Sequence, residues 1–218
     1  MHGYLSSGQS FIYQTKFFAR DFEVFAPDLK GFGQNTDMKT PYSLDDYVNE
    51  VSEYIYKNNI VNPYIVAHSF GGRIAIKGIA TNKIKANKLV LTGSAGLKPK
   101  NSIKKIYKRA CFSILKNFAS KERLERFYSS DYLALNDIMK QSFIKIVNEH
   151  LDKYLSSIAL PTLIINGSLD KETPLYMAKK LNKKIKDSRL NVFKGCGHFC
   201  FIDKSNKFNM EVKEFLLS

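Results

Sequence analysis

The chain has 218 residues, 44% hydrophobic and 25% charged, which suits one soluble α/β domain with a substantial core. A net charge of +14 favours anionic partners in general, but no nucleic-acid motif and no basic stripe interleaved with aromatics accompanies it, so nucleic-acid binding is not expected. No run reaches the roughly 18 apolar residues of a membrane helix, and the chain opens on His2 and Gly3 rather than a basic and then apolar leader, so a cytoplasmic protein is expected.

Residues 1–8 read as a polar loop, and residues 10–18 as a helix with Phe11, Ile12, Phe17 and Phe18 as its apolar side chains. Residues 23–27 read as a strand, followed by a loop in which Gly31 and Gly33 allow tight turns. Ser43 with Asp46 three residues later marks a helix start, and Leu44, Tyr47, Val48, Val51, Tyr54 and Ile55 carry its apolar stripe to about Asn59. Residues 63–67 read as a short buried strand and residues 73–81 as a helix packed on it. Between them lies Ala67-His68-Ser69-Phe70-Gly71-Gly72. Such a strand–turn–helix forces the serine at its apex into a strained conformation that lifts the hydroxyl clear of the sheet. Small residues are needed two before and two after, where strand and helix nearly touch, and Ala67 and Gly71 supply them.

The next strand is expected over residues 88–93. From residue 98 to 157 no strand signal appears and several short helices are expected. Residues 98–126 are strongly basic, which reads as a solvated helix face or, alternatively, as a cap that attracts acidic substrates or an anionic surface. Strands resume at residues 161–166 and 190–193, with a helix opening near Pro174 between them and another closing the chain over residues 206–217. This alternation implies a mostly parallel sheet with helices on both faces, divided into a first core part (residues 1–97), a helical cap insertion (98–158) and a second core part (159–218). Cys111, Cys196 and Cys200 form no disulfide framework, and Cys196 and Cys200 around His198 fall short of the four ligands of a zinc site, so they read as small packed residues.

Three groups stand at the C-terminal ends of predicted strands: Ser69, Asp170 and His198. In parallel sheets those ends share one edge, where such folds place their sites. The order Ser, Asp, His is that of the α/β-hydrolases, and the resemblance extends further. His2-Gly3-Tyr4 resembles that family's H-G-x loop, residues 26–33 its P-D-x-x-G-x-G loop, residues 166–174 its G-x-x-D-x-x-x-P segment, and Gly195-Cys196-Gly197-His198-Phe199 its G-x-G-H-F loop. Ala67 departs by one methyl from the usual G-x-S-x-G. The resemblance implies Ser69 as nucleophile, His198 as general base and acid, and Asp170 as the group that orients and stabilises the imidazole. It implies an oxyanion hole from the backbone N–H groups of Phe70 and Tyr4. His68 and His2 are expected to shape loops rather than move protons, and His150 to have no role.

The family's first three strands have no counterpart here, so five strands are expected where the family has eight. The strands around Val24 and Ile65 would then lack their shared neighbour, Tyr4 would sit on a frayed terminus, and the missing strands are expected upstream of Met1. The function expected is hydrolysis of small carboxylic esters by a Ser69-His198-Asp170 triad. The alternative is a catalytically impaired fragment or ligand-binding protein on the same scaffold. The resemblance also allows a C–C bond hydrolase, a thioesterase or a cofactor-free perhydrolase. No metal or other cofactor is implied, membrane attachment through the basic cap is not favoured, and nothing in the sequence fixes an oligomeric state.

Overall fold

A computed structural model of the chain describes residues 1–100 and 135–218. Four strands, β1 (Tyr64–His68), β2 (Lys88–Thr92), β3 (Thr162–Gly167) and β4 (Ser188–Phe193), pair in the order β1-β2-β3-β4, every neighbour parallel. Parallel strands need crossovers, and α3 (Phe70–Ala80), α4 (Asp137–Asn148) and α5 (Leu175–Lys184) lie between successive strands, while α1 (Ile12–Phe18) and α2 (Leu44–Lys57) precede β1 and α6 (Cys200–Asp203) and α7 (Ser205–Leu217) follow β4. The strands read as apolar runs because both faces are covered. Leu89, Leu91 and Ile164 enter the core with α2, α3 and α5, whereas Val90, Leu163 and Ile165 enter the core with α1, α6 and α7. The start of α2 is the capping box read from the sequence, with Ser43 and Asp46 each bonding the other's backbone.

Residues 23–27, expected as a strand, are not one, so the described residues hold four strands rather than five. A strand requires a partner, and no strand lies between this segment and β1. A cavity of about 480 Å³ occupies that side instead, lined by Phe18, Phe22, Val24, Ile55, Val66 and Met1, among others. Met1 reaches the β1 edge: its amine donates to the Val66 carbonyl (2.7 Å), and its own carbonyl accepts from the His68 N–H (3.0 Å). The terminus is therefore anchored rather than frayed. His2 continues the anchorage, its carbonyl accepting from Gly71 N–H (3.0 Å) and its Nε2 from Leu29 N–H (3.0 Å).

The basic face expected over residues 98–126 lies almost wholly outside the described residues; of the segment expected as a cap, the described residues hold α4 and a 3₁₀ turn at Leu155–Ser157. These are tied to the core through α3. The buried Arg73 guanidinium donates to the carbonyls of Ile146 and Glu149, both at 2.9 Å, at the end of α4. Burial pulls its pKa down to about 10, which leaves it charged at neutral pH. One turn on, the Lys77 amine pairs with Asp45 (2.8 Å) and Glu149 (2.6 Å), which outweighs the burial penalty and raises its pKa. The Arg73→Met variant leaves the Glu149 carbonyl without its donor, while Ile146 O keeps the Glu149 N–H, and is expected to lose roughly 1–3 kcal/mol. Urea unfolding of the variant against the parent measures this, with Arg73→Lys recovering part of the loss.

Candidate active site

Ser69 sits between β1 and α3 with φ +49° and ψ −107°, a conformation that side chains rarely adopt. Its backbone is held on both sides. The N–H donates to Thr92 O (3.1 Å), and the carbonyl accepts from Gly72 (3.0 Å) and Ala95 (3.1 Å). The turn leaves no room for larger neighbours: a Cβ at Gly71 would come within 2.5 Å of the Met1 carbonyl, and one at Gly72 would strike the Ser94 hydroxyl. Ala67, the off-pattern residue, is wholly buried and its methyl is accommodated.

Asp170 and His198 meet as the sequence predicts. Asp170 Oδ2 lies 2.9 Å from His198 Nδ1, at a carboxylate with no exposed side-chain surface. The two loops are joined along their length: Ser168 N–H bonds Phe193 O (3.0 Å), Leu169 N–H bonds Cys196 O (2.9 Å) and Gly195 N–H bonds the Ser168 hydroxyl (3.0 Å). Burial alone would push the Asp170 pKa up, but hydrogen bonds from His198 and from Thr173 outweigh it and hold the carboxyl below its usual range. A carboxylate only accepts, so His198 Nδ1 carries the proton and Nε2 is left with a lone pair.

Ser69 comes to the same edge. Its N–H bonds Thr92, the residue before Gly93, and Gly93 packs against His198, so that a Cβ there would lie 3.1 Å from Nδ1. The imidazoles of His68 and His198 lie 4.6 Å apart, and His68 Nε2 donates to the His198 carbonyl (3.2 Å). The Ser69 hydroxyl makes no hydrogen bond to His198 here, a contact often loose in an unliganded site. Phe70 opens α3, where N–H groups lack helical partners. The Tyr4 ring lies 5.3 Å from that of Phe70, and the Tyr4 hydroxyl donates to Met139 O (3.0 Å), so these two residues are also neighbours.

Two contributors were missed in the sequence. Thr173 donates its hydroxyl to Asp170 Oδ2 (2.7 Å) and its N–H to Oδ1 (2.8 Å). Asn166 spans the same loop, its amide donating to the carbonyls of Gly167 (3.1 Å) and Thr173 (3.2 Å). A hydroxyl residue three places after an acid and just before a proline is the local pattern that could have pointed to Thr173. Cys196 and Cys200 are buried thiols, that of Cys200 pushed up to about 11 by burial, and no cluster fit to hold a metal occurs among the described residues.

A family model described as serine aminopeptidase, S33, matches residues 1–205. The chain belongs to that hydrolase family. A curated relative, AB hydrolase superfamily protein YisY of Bacillus subtilis, is 27% identical over 245 residues, covering 99% of this chain and 89% of its own. The 2-hydroxymuconate semialdehyde hydrolase of a Pseudomonas strain, CF600, is 27% identical over 223 residues, covering 91% of this chain and 77% of its own. Among solved structures, an esterase from Exiguobacterium antarcticum superposes with a TM-score of 0.80 at 24% identity, covering 100% of this chain and 90% of that one. The fold is that of the α/β-hydrolases, as the sequence motifs imply. No helix among the described residues is long and apolar enough to cross a membrane.

The family's histidine-bearing loops raise a question of charge that the structure answers. Burial lowers the pKa of His2 to about 4 and that of His68 to about 3, so both are neutral in the folded protein near pH 7. Unfolded, each titrates near 6.5, so between that value and the lowered one the unfolded chain binds more protons. The contribution of these two histidines to stability is therefore full above about pH 6.5 and falls as the pH drops toward 4. The His68→Gln variant, which keeps an N–H for the His198 carbonyl, is expected to flatten this decline by up to about 1.4 kcal/mol per pH unit, read from urea unfolding across that range.

Proposed function

We propose that the protein is a serine hydrolase that cleaves small carboxylic esters through an acyl-enzyme. The observation that carries this reading is the 2.9 Å bond between Asp170 and His198 on the sheet edge that also bears the strained Ser69. His198 Nε2 takes the Ser69 proton as Oγ attacks the ester carbonyl. Asp170 stabilises the imidazolium that forms. The oxyanion is held by the N–H groups of Phe70 and Tyr4, each of which supplies on the order of 3 kcal/mol in sites of this kind. Collapse of the tetrahedral intermediate expels the alkoxide, which takes the proton from His198. Water, activated by the same imidazole, then attacks the acyl-enzyme, releases the acid and restores Ser69.

A second reading, hydrolysis of a carbon–carbon bond, is favoured by one comparison: a relative aligned over 91% of the chain is a 2-hydroxymuconate semialdehyde hydrolase. The same Ser69, His198 and Asp170 would serve, with a stabilised carbanion as leaving group in place of an alkoxide. The experiment pairs two substrates, p-nitrophenyl acetate and a ring-cleavage dienoate, with fluorophosphonate labelling. Turnover of the aryl ester and a Ser69 adduct are expected. In the Ser69→Ala variant both disappear, with kcat down by about 10⁴-fold or more. Ester turnover that survives this substitution ends the proposal, and turnover of the dienoate alone selects the second reading.

A further inference from the structure

Asp170 accepts four hydrogen bonds, and only one comes from His198. Oδ1 takes the N–H groups of Glu172 (2.9 Å) and Thr173 (2.8 Å); Oδ2 takes His198 Nδ1 (2.9 Å) and the Thr173 hydroxyl (2.7 Å). Thr173 is buried, and its Oγ1 also lies 3.4 Å from His198 Nδ1. A hydroxyl has one proton to give. The short contact directs it to Oδ2, so the imidazole proton must also point to Oδ2 and the ring tautomer is fixed. Thr173 is itself held, by Asn166 at its carbonyl and by Pro174 at the entrance to α5.

We propose that Thr173 is a positioning residue that sets the basicity of His198 through Asp170. Its hydroxyl draws on the same carboxylate oxygen that stabilises the imidazolium. It therefore shares the Oδ2 charge between two donors while fixing the direction of the Asp170–His198 hydrogen bond; the His68 imidazole, 4.6 Å from that of His198, is the other titratable group facing it. The inference rests on the reading of His198 as the general base. Its structural half, that Thr173 governs the Asp170–His198 hydrogen bond, does not depend on catalysis.

The test uses Thr173→Val, which keeps the shape and removes the hydroxyl, and Thr173→Ser, which restores it. For Thr173→Val the acid limb of kcat/KM is expected to move up by roughly half a pH unit or more, with kcat reduced about tenfold, as the loss of one positioned hydrogen bond implies. Thr173→Ser is expected to return the limb close to its original position. In parallel, proton NMR follows the far-downfield resonance of the His198 Nδ1 proton, which should shift in Thr173→Val and return in Thr173→Ser. A Thr173→Val profile and resonance superimposable on those of the parent overturn the proposal, as does a Ser variant that behaves like Val. If the resonance shifts as expected while Ser69→Ala leaves ester turnover intact, the reading of His198 as general base has failed and the hydrogen-bonding role of Thr173 stands.

Discussion

A non-glycine residue held at φ +49° stores on the order of 1–3 kcal/mol, and much of the molecule can be understood as the means of holding Ser69 there. The turn is pinned by β2, through Thr92 O, and by the loop after it, through Ala95 N–H. It is hemmed in by glycines whose missing side chains let Met1 and Ser94 approach. Relaxing Ser69 would require breaking several hydrogen bonds at a buried sheet edge, each worth about as much as the strain, roughly 1–3 kcal/mol, so that together they outweigh it. Strain placed where the surroundings over-determine it is a mark of a functional residue, and here it falls on the one serine that the motifs single out.

The N-terminal residues supply a second constraint on the same turn. Met1 takes the Val66 carbonyl and the His68 N–H, and His2 takes the Gly71 N–H, so three consecutive elbow contacts come from two residues. The cost is the burial of titratable groups. The Met1 amine is pushed down to about 5, His2 to about 4 and His68 to about 3, each by desolvation. Asp170 goes the other way against its own burial, because four donors converge on it. Bases near the elbow are thus kept neutral while the single carboxylate beside His198 is kept charged.

The parts of the fold legible in the sequence are those dictated by local pattern. The apolar runs at β1, β2 and β3, the capping box at Ser43 and the serine at the apex of a strand–turn–helix all follow from neighbours within a few residues. Residues 23–27 misled because their alternation is strand-like, whereas strand formation depends on a partner, and pairing is not a local property. The tethering of the terminus was illegible for the same reason: the Met1 contacts at Val66 and His68 are separated from it by more than sixty residues of sequence. Asp170 and His198 were found from strand ends and motif order. Thr173 was not, because a threonine before a proline has many uses and only geometry shows which oxygen its proton meets.

The connection between α4 and the core bears on the proposed site. Arg73 and Lys77 lie on α3, the helix that begins at Phe70, and both reach the end of α4. Tyr4, beside Phe70, reaches the other end of α4 through Met139. α4 is therefore fastened to Tyr4, one of the two residues proposed to bind the oxyanion, and to the helix that begins with the other. In the proposed role of Ser69, the same chemistry serves a carbon–oxygen or a carbon–carbon bond. Selection must come from whatever shapes the space above the serine. Anchoring α4 through α3 fixes its place relative to Ser69, since a shift of α4 would have to break the Arg73 and Lys77 contacts or carry α3 with it.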